Sequence, residues 1–227
     1  MAKDQHSHPG LGQTIFHFTV PDVFRSRLWE LDVESLFLPA GRSFPCYTEE
    51  FESFLADIVA FLQRLYFDIL DDPAFTFVAT APGSPSTTYS TDLGAYIGLH
   101  FDNFDQTPIG QREVSRVAVG INFGDEDRYL IFINLTALQI FDLLRLASRG
   151  EDCAQHRSLL KIAYEFMSAY PDYPVARLAL KPGEGYLAPT QNMIHDGYTL
   201  PKSQPDINLL IRAMYALRAT PSDMATP

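Results

Sequence analysis

The feature that most restricts this chain is a succession of short β-type stretches between Phe75 and Leu217, each broken from the next by turn residues. Residues 75–80, 87–90, 94–102, 116–123, 128–135, 175–181, 186–188 and 207–217 are rich in β-branched and aromatic side chains. With residues 14–20, which stop at Pro21-Asp22, they give about eight to ten strands. Gly124-Asp125-Glu126-Asp127 and Pro182-Gly183-Glu184-Gly185 read as hairpin connections, the second with Gly183 at the positive-φ position of a type II turn. Strands joined so closely form mainly antiparallel sheets. The fold class expected is therefore mainly β with flanking helices, a double-stranded β-helix (jelly roll, cupin-like) barrel with a ligand cavity between its two sheets.

Helices surround this pattern. Thr48 is a suitable N-cap, Glu49 and Glu50 suit the positive first turn, and Phe51, Leu55, Ile58, Leu62, Leu65 and Ile69 fall on one face of a helix ending near Asp71-Asp72-Pro73. Residues 137–148 and 152–169 are helical by period, and Trp29 is expected in the core. Without a linker or repeat, one domain is expected over 14–220, with a barrel at about 75–217, a helical insertion at about 137–169, and flexible tails at 1–13 and 221–227.

At 227 residues with 46% hydrophobic side chains, the chain can bury a sizeable core. Its formal net charge of −11 and lack of any Lys/Arg cluster argue against nucleic acid or an anionic membrane surface as partner. No apolar run is long enough to cross a bilayer, and residues 1–10 lack the apolar segment of a secretory signal. Cys46 and Cys153 form no disulfide framework, which fits a cytoplasmic location. His6 and His8 belong to the tail, His17 is expected to pack within the first strand, and His156 to lie on the surface.

The chemistry gathers at Gly94–Asn103. On an extended strand His100 and Asp102 project to one side and Phe101 to the other. A second histidine, His195 in Met193-Ile194-His195-Asp196-Gly197, can complete a set of two imidazoles and one carboxylate. That set, with the opposite metal face open, is the arrangement of non-haem Fe(II) oxygenases. Asp196 or Asn192 is placed to orient His195. Downstream, Arg212 stands alone among apolar residues on the last strand. It either faces solvent or, if it points into the barrel, requires an anion, and its planar fork suits a carboxylate.

On these residues the sequence resembles the iron(II)- and 2-oxoglutarate-dependent oxygenases. His100-Phe101-Asp102 matches the family's His-x-Asp, His195 its distal histidine, and Arg212 the arginine that holds the far carboxylate of 2-oxoglutarate. The likeness spans residues 94–217; Arg212 follows His195 at a greater distance than in many members, which keeps Arg116, Arg128 and Arg218 as alternatives, with Tyr215 or Thr190 as helpers. The resemblance implies Fe(II) on His100, Asp102 and His195, 2-oxoglutarate as cosubstrate, O2 as oxidant, and hydroxylation, desaturation or cyclisation of the substrate. A carboxylate at Asp102 disfavours halogenation.

Substrate contacts are expected from Tyr96, Leu99, Asn103, Phe104, Asn122, Asn134 and Gln191, whose mixture of aromatic and amide groups suits a small polar molecule such as an amino acid or a natural-product intermediate. The helices at 137–169 are expected either to cover the site or to form a homodimer contact. Two other readings are compatible with the same residues: a cupin-type metalloenzyme that does not use 2-oxoglutarate, and a non-catalytic β-barrel binding protein.

Overall fold

Two antiparallel sheets face each other across a cavity in the computed structural model, which describes residues 11–31, 48–65, 67–147 and 158–218. The larger contains β1 (Phe16–Thr19), β9 (Glu184–Ala188), β6 (Val117–Asn122), β11 (Asp206–Ala213) and β3 (Ala74–Thr80), in that order. The smaller contains β10 (Met193–Tyr198), β7 (Arg128–Thr136) and β8 (Ala176–Leu180), and an isolated bridge between His100 and His195 extends its β10 edge. Two short pairs complete the β structure described: β2 (Phe67–Ile69) with β12 (Tyr215–Leu217), and β4 (Tyr89–Ser90) with β5 (Ala95–Tyr96). This is the expected jelly roll.

The two connections read as hairpins are corrected by the pairing. β6 pairs with β9 and β11, whereas β7 pairs with β8 and β10, so the 123–127 segment crosses from one sheet to the other. The chain does the same between β8 and β9, through a turn in which Gly183 has the expected positive φ of 81°. The physical reason lies in burial on both faces. All six residues of β6 are buried, which requires a covering layer on each side rather than a solvent-facing hairpin. Asn122 builds the first crossing: its amide donates to the carbonyls of Glu126 and Leu180, both at 2.9 Å, and accepts from the Gly124 N–H.

Each sheet is backed by helices. Helices α1 (Asp22–Glu30) and α2 (Glu49–Leu65) cover the larger sheet, where Phe54, Ile58 and Leu62 meet Val119, Ile121, Leu209 and Ile211 in one buried cluster. Burying each such side chain contributes roughly 1.5–3 kcal/mol. Helices α3 (Ala137–Ala147) and α4 (Leu159–Ala169) cover the outer side of the smaller sheet: Ile140, Ile162 and Phe166 pack with Phe101, Ile133 and Ile194. These helices buttress the strands from behind.

Several boundaries differ from expectation. Helix α2 stops at Leu65, and Ile69 lies in β2, held by antiparallel pairing to Tyr215. The last strand divides into β11 and β12 at Met214, whose N–H donates to the Asp71 carboxylate at 2.7 Å. Trp29 is 36% exposed, because α1 turns Phe24 and Leu28 to the core instead. Leu11 and Gly12, assigned to a tail, are buried, and the Gly12 carbonyl accepts from Asn192 Nδ2 at 2.8 Å. The expectations for His6, His8, Cys46, Cys153, His156, and for 148–157 and 219–227, lie outside the described residues.

Candidate metal centre

Backbone pairing brings the two ligand-bearing segments together. The His100 N–H donates to the His195 carbonyl at 3.0 Å and the His195 N–H to the His100 carbonyl at 2.9 Å; one step on, the Asp102 N–H donates to Thr190 O at 3.1 Å. The imidazoles then lie side by side, with ring centroids 4.9 Å apart and planes at 40°. His100 Nε2 is 3.5 Å from Asp102 Oδ1, and His195 Nε2 is 3.7 Å from Asp102 Oδ2. One donor atom from each of the three residues lies within 4.8 Å of the others.

The nitrogens that face away are occupied. Nδ1 of His100 is 2.7 Å from the Gly98 carbonyl, and Nδ1 of His195 is 3.3 Å from the Met193 carbonyl. A carbonyl only accepts, so each ring carries a proton on Nδ1, and Nε2, the nitrogen that faces Asp102, is the atom left to bind a metal once it gives up its own proton. Gly98 has a φ of 68°, a left-handed conformation that favours glycine and helps set its carbonyl under His100. Asp196 and Asn192, expected to orient His195, serve elsewhere. Asp196 accepts from Thr88 Oγ1 at 2.9 Å, and Asn192 ties Gly12 to the first residue of α3.

Electrostatics keep the three groups in ligand form. Burial opposes the charge on Asp102, but the hydrogen bond from His100 and the charges of His195 and His100 outweigh it and hold the carboxyl well below the usual carboxylate range. Burial pulls His100 down, yet its hydrogen bond and attraction to Asp102 leave it raised. His195 is lowered, because burial and the adjacent His100 prevail over Asp102. Two neutral-capable imidazoles and a permanent carboxylate form an N2O donor set suited to a divalent first-row metal. Donors sharing an ion at about 2.1 Å in adjacent positions lie roughly 3 Å apart, so the observed separations need little adjustment to accept one.

The cluster opens on a cavity of about 280 Å³ between the sheets. Its walls include Asn208, Leu210 and Arg212 of β11, while Leu209, Ile211 and Ala213 of that strand face the helices. Arg212 therefore points inward. Its Nη1 donates to Thr76 Oγ1 at 3.0 Å and its guanidinium lies 5.2 Å from the Phe104 ring centroid, with no carboxylate paired to it among the described residues. The alternative arginines are engaged. Arg128 forms a buried ion pair with Asp206, which Lys202 also contacts; Arg116 binds Asp71 at 2.8 Å, and Arg218 binds Asp68 at 2.7 Å. Thr190 lines the cavity, whereas Tyr215 packs edge-on against Phe67 on the far side of the larger sheet.

Of the expected substrate contacts, Tyr96 lines this cavity. Leu99 packs toward α3 and α4, Phe104 lies against Arg212, and Asn103 accepts from Arg112 Nη2 at 2.6 Å. Asn122 is consumed by the sheet crossing, Gln191 donates to Asp105 at 2.6 Å, and Asn134 borders a separate groove beside Gly12–Ile15. Sequence reasoning missed Tyr89, Tyr186 and Asn208 on the cavity wall. It also missed Arg112, a fully buried guanidinium that donates to the carbonyls of Asp102 at 2.9 Å and Gln191 at 2.5 Å. Burial lowers Arg112 to about 10 even though Asp102 and Asp105 attract its charge. It stitches the two ligand-bearing segments together, and no local pattern marks it.

No protein-family profile matches this sequence, and no curated protein matches it. Solved structures do. The apo structure of the Kdo hydroxylase KdoO, a non-haem Fe(II) α-ketoglutarate-dependent dioxygenase, aligns at a TM-score of 0.51 and 13% identity over 90% of this chain and 81% of that one. HygX from Streptomyces hygroscopicus, solved with nickel and 2-oxoglutarate, aligns at 0.45 and 12% identity over 95% and 91% of the two chains. The α-ketoglutarate-dependent epimerase SnoN from nogalamycin biosynthesis aligns at 0.45 and 10% identity over 92% and 82%. The jelly roll expected from the sequence is thus borne out: the chain shares the fold of the KdoO dioxygenase.

Proposed function

We propose that this protein is a non-haem Fe(II)- and 2-oxoglutarate-dependent oxygenase acting on a small molecule. One observation carries the reading: a His-Asp-His cluster with both Nδ1 atoms fixed by carbonyls shares a single cavity with an inward arginine that has no carboxylate partner among the described residues. His100, Asp102 and His195 would hold the iron, and Arg212 would take the far carboxylate of 2-oxoglutarate. With O2, the bound iron and cosubstrate supply the oxidising chemistry. The chain's own residues position the ligands: the Gly98 and Met193 carbonyls fix the imidazoles, and Arg112 holds the Asp102 backbone.

We read the chain as one oxygenase domain over 14–220, with the barrel at about 75–217 and the insertion at about 137–169; the pairing of β1 with β9 supports including the N-terminal part. No described helix is long and apolar enough to cross a membrane. The charge of −11 supports a small molecule over nucleic acid as partner, and the two cysteines support a cytoplasmic setting.

The test is anaerobic titration with Fe(II) and then 2-oxoglutarate, following the visible charge-transfer band of the chelate. The wild-type chain should bind one iron and develop the band. His100→Ala should lose more iron affinity than the roughly 10- to 100-fold typical of losing an outer-shell partner. Iron binding without the band would indicate a metalloenzyme that does not use 2-oxoglutarate. Absent iron binding, or equal binding by His100→Ala, would indicate a non-catalytic binding protein.

A further inference from the structure

The β4–β5 pair belongs to neither sheet of the barrel, yet it stands at the cavity. Tyr89 and Tyr96 are directly opposed across it, edge to face with centroids 5.3 Å apart. They are 39% and 41% exposed, and both line the cavity that contains His100 and Asp102. Gly94, with a φ of 61°, sits just before the second strand, and Gly98 returns the chain to His100. The exposed rings contribute little to a core. An aromatic pair held open beside a polar centre is instead a surface for a ligand ring.

The larger sheet supplies a second observation. Asn208 is 1% exposed and lines the same cavity, and neither Oδ1 nor Nδ2 has a hydrogen-bond partner among the described residues. A buried amide left unsatisfied at both atoms is costly and calls for a group that donates and accepts at once. A hydroxyl does both. 2-Oxoglutarate offers acceptors only and would leave Oδ1 unmet.

Charge narrows the class. Among the cavity's charged side chains, Asp102 is committed to the metal, Arg212 to the cosubstrate, and Arg128 to Asp206. None remains for a substrate ammonium or carboxylate, which argues against a free amino acid. We propose that the primary substrate is an uncharged, hydroxylated ring compound, its ring lying against Tyr89 and Tyr96 and a hydroxyl read by Asn208. This rests on the oxygenase reading of the same cavity.

Saturation-transfer NMR tests it on protein loaded with Zn(II), as a non-oxidising substitute, and 2-oxoglutarate. The probes are methyl β-glucopyranoside and myo-inositol, with leucine as the amino-acid comparator. The two ring probes should receive saturation on their ring protons and leucine should not. Replacing both tyrosines (Tyr89→Ala with Tyr96→Ala) should weaken ring binding about tenfold, and Tyr96→Phe should preserve it. Asn208→Leu, close in volume, should weaken the hydroxylated probes similarly. Leucine binding as well as the rings, no transfer to either ring, or unchanged binding in the double tyrosine variant would each overturn the proposal. The 2-oxoglutarate signals in the same samples separate the two levels: bound cosubstrate without bound ring refutes this proposal alone, whereas unbound cosubstrate refutes the oxygenase reading.

Discussion

Replacing Arg212 by alanine should remove the proposed anchor of the cosubstrate without touching the candidate metal ligands. In the structure this guanidinium has one hydroxyl partner, Thr76, and the face of Phe104, so most of its donors are available to an incoming carboxylate. Hydrogen bonds to a charged group contribute about 1.5–3 kcal/mol, and Arg212 is only half-buried, so solvent screens part of a two-pronged contact. A net loss of about 2–3 kcal/mol follows, roughly 30- to 150-fold in the dissociation constant of 2-oxoglutarate. The assay is anaerobic titration of the Fe(II)-loaded protein, following the chelate band with 2-oxoglutarate and, in parallel, with 2-oxobutyrate, which lacks the far carboxylate. Arg212→Ala should weaken the first and leave the second near wild type. Arg212→Lys should fall between, as a point charge without the fork. If alanine shifts both oxo acids equally, or moves 2-oxoglutarate by less than about threefold, Arg212 is not the anchor. The Arg128–Asp206 pair would then have to open to provide one.

Two further outcomes follow from the scaffold. At Gly120 a Cβ would lie 2.5 Å from Tyr186 Cζ, so Gly120→Ala should destabilise the fold by roughly 1–3 kcal/mol in urea unfolding; the added change Tyr186→Leu should recover part of it, and no recovery would refute the clash. Glu184 accepts from the Lys181 N–H at 2.8 Å and lies 3.2 Å from His17 Nε2, and that backbone bond, against slight burial and with help from His17, holds its carboxyl below the usual range. A depressed folded value stabilises above about pH 4.3 and is lost as pH falls, so Glu184→Gln should flatten the fall in urea midpoint between about pH 6 and pH 3.5. An unchanged slope would assign that fall to other carboxylates.

Strand alternation is a local property, which is why His100, Phe101 and Asp102 could be assigned to faces from sequence and why Arg212 could be suspected of pointing inward. Sheet membership is not local. Gly124–Asp127 and Pro182–Gly185 signal that the chain reverses, but the partner of each strand is decided by burial on both faces, and in this fold each reversal also changes sheet. The same topology defeats proximity in sequence as a guide to the cavity. Asn103, Phe104 and Gln191 sit beside the ligands in the chain, yet the backbone turns them into the Arg112, Arg212 and Asp105 contacts. Tyr186 and Asn208 reach the wall from strands of the opposite sheet.

Helices α3 and α4 gain a role from these faces. Ile194 and Phe101, each adjacent in sequence to a ligand, are buried against Ile140, Ile162 and Phe166 on the outer side of the smaller sheet, while His195, His100 and Asp102 face the cavity. A one-residue slip at the His100–His195 bridge would turn Ile194 into the polar cavity and drive His195 among apolar side chains. Burying Ile194 and Phe101 favours the observed register by several kcal/mol, and a neutral or charged imidazole in that cluster would lack partners. Helices α3 and α4 therefore act on the candidate metal centre without touching it: by fixing which face of each strand is apolar, they fix which face carries His100, Asp102 and His195.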